Sequence, residues 1–94
     1  MLRHVILWKF KPVCQAEMRE FLARLKALDG QIPEILRMEV AENTCGEENY
    51  DACLIVDFAD EAAMERYKQD PRHLAVSALC KAIRVSRCAV DYEI

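Results

Sequence analysis

An α+β sandwich with the element order β-α-β-β-α-β is what this sequence predicts, and three observations carry it. LRHVILWKF alternates apolar residues with a period of two, EMREFLARLKAL switches to helical spacing, and DEAAMERYKQ repeats that spacing after two further strand-like runs. Helices would then cover one face of a four-stranded antiparallel sheet, the split βαβ arrangement of ferredoxin-like folds.

Each element has its own signal. In residues 2–10, Leu2, His4, Ile6, Trp8 and Phe10 share one strand face, and the opposite face is partly apolar too. Over residues 17–28, Met18, Phe21, Leu22, Leu25 and Leu28 fall on one side of a helix with a Glu20/Arg24 pair outside. Gly30 suits the C-terminal cap of this helix, whereas Val13, Cys14 and Gln15 offer no N-cap. A strand near residues 35–43 sets Leu36, Met38 and Val40 on one face, and the NTCGEEN loop turns the chain into YDACLIVDF. There Tyr50, Ala52, Leu54, Val56 and Phe58 share a face, and the two strands form a hairpin. Asp60 caps the second helix, which must stop or bend at Asp70-Pro71. A further helical run from Pro71 to about Lys81 leads into a last strand over residues 83–94.

The other sheet face carries Val5, Leu7, Cys53, Ile55, Cys88, Val90, Tyr92 and Ile94, too much apolar surface for a lone chain to leave wet. A second copy is the simplest cover. Length agrees, because a single domain of 94 residues gains stability from an interface when only about 60 to 65% of its unfolded surface is buried.

Composition excludes several classes. A net charge of -3, with no basic stripe interleaved with aromatics, gives no footprint for nucleic acid or an anionic membrane. Five scattered cysteines, odd in number and without a CxxC pair, argue against a disulfide framework and against zinc. The chain passes from Met1 directly into a strand, and no apolar run approaches the roughly 18 residues of a membrane span. A cytoplasmic location with reduced thiols is expected, Cys53 and Cys88 acting as small buried packing residues.

The chemically distinctive stretch is YKQDPRH, residues 67–73, where a phenol and an imidazole flank a helix-breaking proline. Together with the opening RHVILWKFK, the IP after the first helix and the closing DY, it resembles the stress-responsive, or dimeric, α/β-barrel family, which includes olivetolic acid cyclase-like proteins. The resemblance implies a homodimer whose sheets pack face to face, with a pocket between sheet and helices and no cofactor or metal. In the cyclase-like members a Tyr-x-x-His-Pro-x-His segment supplies the catalytic Tyr and His. Tyr67 and His73 match that pair, His4 matches a pocket histidine, and Asp91 matches a carboxylate that bonds the catalytic imidazole. The motif's first histidine is replaced by Asp70, and Leu22, Leu25 and Arg84 stand where those members have large aromatics. The cyclase's own substrate therefore does not carry over.

The residues themselves allow more than one role. Asp as N-cap and Pro at the first helical position account for Asp70-Pro71 structurally, and they place His73 in a first helical turn whose dipole disfavours imidazolium. Neutral imidazole is what a general base requires. The resemblance then implies His73 as base, Asp91 as its orienter and Tyr67 as hydrogen-bond donor to a developing enolate oxygen. The pocket would be lined by His4, Ile6 and Trp8 from the first strand, Phe21 and Leu25 from the first helix, and Leu54, Leu74 and Arg87. A period of two sets Arg87 on the face of Val85, Ala89 and Asp91, where it either pairs with Asp91 or receives an acidic ligand. Two functions stay open: cofactor-free chemistry on a hydrophobic, aromatic or polyketide-like molecule, or a non-catalytic stress-responsive or ligand-binding dimer in which these residues form a structural network.

Overall fold

The first strand shows why the sequence folds as a layer. In the computed structural model, which describes residues 1–94, every even position of β1 (Leu2–Phe10) is buried and every odd one half-buried. β1 is central in a four-stranded sheet of order β2-β3-β1-β4. It pairs antiparallel with β3 (Ala52–Phe58), Leu2 opposite Phe58 and Trp8 opposite Ala52, and with β4 (Arg84–Glu93), His4 opposite Asp91 and Trp8 opposite Arg87. β2 (Arg37–Glu42) pairs with β3 and forms the other edge.

Three helices cover one face of this sheet. α1 (Gln15–Lys26) begins after a 3-10 turn at Pro12–Cys14, has no side-chain cap, and buries Met18, Phe21, Leu22 and Leu25. α2 (Glu61–Gln69) is capped by Asp60, whose carboxylate accepts from the Ala63 N–H at 2.8 Å. α3 (Pro71–Ile83) follows after the single residue Asp70, extended at φ -61 and ψ 130. Asp70 accepts from the Arg72 N–H at 2.8 Å, and Arg72 in turn donates to the Gln31 carbonyl at 2.7 Å, fixing the joint to the loop after α1. Between sheet and helices lies one apolar core, in which Tyr67, Phe10, Phe21 and Phe58 are the bulkiest fully buried side chains.

The ferredoxin-like architecture is the one expected, and the differences fall at element ends. Leu36 lies outside β2 and is exposed, its place in the core taken by Ile35. Tyr50 precedes β3 and is exposed, because the chain enters the strand only at Ala52. Ala27, not Gly30, caps α1; Gly30 has φ +91 and serves the turn that follows. In β4, Ser86 pairs with Lys9 but Arg84 pairs with Phe10, so Val85 is the extra residue of a bulge. Val85 is 64% exposed, and Arg84 takes the inward position that strict alternation would assign to Val85.

The outer face of the sheet is apolar but not uniformly so. Val5, Leu7, Cys53 and Ile55 are half-buried, whereas Val90, Tyr92, Ile94 and Cys88 are exposed, so Cys88 is not the buried packing residue its strand position suggests. All five cysteines are unpaired. Toward one end of this face, Arg3 grips the buried Asp57 with two hydrogen bonds of 2.8 and 3.0 Å across the β1/β3 pair. No helix is long and apolar enough to cross a membrane.

Candidate functional site

α2 and α3 do not close completely on the sheet. A cavity of about 280 Å³ remains between them and β1, β3 and β4. Its floor is Ile6, Trp8 and Leu54, its wall Phe21 and Leu25, and its roof Tyr67, His73 and Val76. All eight residues expected to line a pocket do so, Leu74 and Arg87 at the rim, where Leu74 is largely exposed. Five further polar or charged groups that the sequence does not place there also line it, Lys68, Ser77, Cys80, Lys81 and Arg84, whereas the expected Asp91 is not among the lining residues. The missed α3 residues recur at helical spacing from His73, namely Ser77, Cys80 and Lys81, and that spacing was the signal available.

The carboxylate of Asp91 holds His4, not His73. β1/β4 register sets His4 and Asp91 directly opposite on the helix-facing side, and Asp91 Oδ1 hydrogen-bonds His4 Nδ1. His73 sits across the cavity on α3, and its Nδ1 lies 3.1 Å from the Lys68 carbonyl oxygen. A carbonyl can only accept, so Nδ1 of His73 carries the proton. His4 Nδ1 likewise donates to the Asp91 carboxylate. Both rings therefore keep an Nε2 lone pair that no protein group engages.

Burial favours the neutral form of both imidazoles. It lowers the His4 pKa against the opposing pull of Asp91, and it lowers that of His73 against its bond to the Lys68 carbonyl. Tyr67 is 1% exposed, its ring centroid 4.4 Å from that of His73 and 5.0 Å from that of Phe58. Its hydroxyl is buried and has no hydrogen-bond partner in the protein. Burial also raises its pKa well above the usual phenol value, so the group stays protonated and available as a donor.

A family model, the stress responsive A/B barrel domain, matches residues 2–94. The chain belongs to this family. Solved structures that resemble this stress responsive A/B barrel chain share its ferredoxin-like fold. A dimeric ferredoxin-like protein of unknown function from Bacteroides fragilis superposes with a TM-score of 0.91 at 26% identity, over 99% of this chain and 95% of that one. A hydroxynitrile lyase from Passiflora edulis gives 0.85 at 14% identity, over 99% and 92%. A cofactor-independent oxygenase from Streptomyces nogalater gives 0.80 at 16%, over 99% and 91%. At such identities the two enzymes establish a common fold and nothing about chemistry. No curated protein sequence matches the chain significantly.

Proposed function

We propose that this family member is a homodimer that takes a hydrophobic, aromatic or polyketide-like molecule between sheet and helices and acts on it by cofactor-free general-base chemistry. The unpartnered Tyr67 hydroxyl carries the reading. An unsatisfied polar group in the interior costs about 1 to 3 kcal/mol, and a structural role would have given it a partner. Tyr67 lines the cavity beside His73, and its hydroxyl is a donor with no acceptor in the protein, which supports a ligand oxygen as its partner.

The roles divide by surroundings. His4 is the base, because the imidazolium formed when Nε2 takes a proton is stabilised by the Asp91 carboxylate on Nδ1. Tyr67 donates to the oxygen on which negative charge develops. His73, backed only by a carbonyl, offers the second acceptor and packs the Tyr67 ring in place. Homodimerisation is supported by the apolar outer face around Leu7 and Ile55 and by the dimeric relative from Bacteroides fragilis.

The test does not need the natural substrate. An aryl methyl ketone incubated with the protein in deuterated water should acquire deuterium at the carbon next to its carbonyl, with a rate that falls about a hundredfold or more in His4→Ala. Exchange no faster than in buffer, for a ketone whose binding perturbs the Trp8 indole resonance, would refute the catalytic part and leave a binding protein.

A further inference from the structure

We propose that the ligand of this cavity is an organic anion, an apolar ring or chain bearing a carboxylate or phosphate that Arg84 and Arg87 clamp at the mouth. The inference rests on the cavity being a ligand site and adds its charge. Eight arginines occur in the chain, and six of them meet a carboxylate within salt-bridge distance: Arg3, Arg19, Arg24, Arg37, Arg66 and Arg72. The two without such a partner are Arg84 and Arg87, and both line the cavity. Shortage of acid does not explain this, since the chain holds 16 Asp and Glu against 13 Lys and Arg.

The surroundings reinforce the point. Lys68 and Lys81 also line the cavity, and no Asp or Glu does. The carboxylate nearest in sequence to the clamp, Asp91, is taken by His4. In an acidic protein the cavity is thus a concentrated positive site with an apolar interior, formed by Ile6, Trp8, Leu54 and Phe21. Planar guanidiniums three residues apart on one strand reach the same face only because of the bulge at Val85, and such a pair suits the two oxygens of a carboxylate or phosphate. The volume of about 280 Å³ equals roughly nine waters of liquid, enough for one or two rings.

Three probes of one shape separate charge from hydrophobicity: 2-naphthoate, 2-naphthyl phosphate and the neutral 2-naphthamide. Affinities come from calorimetry at low salt, and the indole N–H resonance of Trp8, the only tryptophan, reports entry into the cavity. At least one anion should bind about tenfold or more tighter than the amide, and Arg84→Gln/Arg87→Gln should abolish the preference while leaving amide affinity unchanged. The tighter of the two anions identifies the headgroup. Equal binding of amide and anions, with Trp8 shifted, would overturn the anion assignment and leave the cavity as a ligand site. Anion binding that leaves Trp8 unmoved, or persists in the double variant, would place it elsewhere and overturn the clamp. Binding of none of the three would overturn both readings.

Discussion

Tyr67→Phe removes one oxygen from the interior and should make the protein more stable. The hydroxyl is buried without a partner, so its deletion relieves a desolvation penalty of about 1 to 3 kcal/mol. The volume lost is that of a single oxygen, so the void it leaves costs little against that gain. For a domain of this size, about 1 kcal/mol corresponds to a rise in Tm of roughly 4 to 8 °C. Calorimetric melting of both proteins at equal concentration measures it, concentration mattering because a dimer melts by mass action. The same variant should lose ketone deuterium exchange. A fall in Tm of similar size would mean that the hydroxyl is hydrogen-bonded in the folded protein, and the argument that it awaits a ligand would fail.

Three further outcomes are expected. Burial depresses the folded-state pKa of both His4 and His73 below their ordinary 6.5, so between that value and the folded values the unfolded chain binds more protons. Stability should therefore fall as pH drops below about 6.5; urea unfolding at pH 7.5 and 5.5 would show it, the fall should shrink in His4→Gln/His73→Gln, and a stability constant or rising toward pH 5.5 would contradict it. Leu7→Asp should convert a dimer into a monomer or an aggregate by sedimentation, and a wild-type chain that is monomeric at micromolar concentration would refute the proposed assembly. Asp60→Ala should cost about 1 kcal/mol by removing the cap of α2, and an unchanged urea midpoint would show that the cap is not holding the helix.

The sheet and helices were legible because their signals are local. Alternation in β1, helical spacing in α1, and the Asp60 and Asp70-Pro71 punctuation each reside within a few consecutive residues. The lining that comes from β1 and β3 was legible for the same reason, since inward parity on an unbulged strand is nearly a sequence property, whereas Lys68, Ser77, Cys80, Lys81 and Arg84 were not. What the sequence hid depends on register between distant segments. Asp91 could be assigned to the helix-facing side, but its partner is set by which residue of β1 lies opposite, 87 positions away. Arg3 and Asp57 meet by the same kind of cross-strand pairing, 54 positions apart. Leu36, Tyr50 and Gly30 were misplaced because each borders an element, where a shift of one residue changes burial completely.

The extra residue at Val85 makes β4 two strands in one. From Ser86 onward its pairing with β1 runs without interruption, and His4 and Asp91 are locked to each other by that register. Ahead of it, the choice of inward side chain is set separately, because the bulge absorbs a change of parity. Substitutions at Arg84 would therefore exchange what the cavity mouth presents and leave the His4–Asp91 pair undisturbed. Under the proposed function, the residues that select a ligand and the pair that would move its proton are mechanically insulated along a single strand.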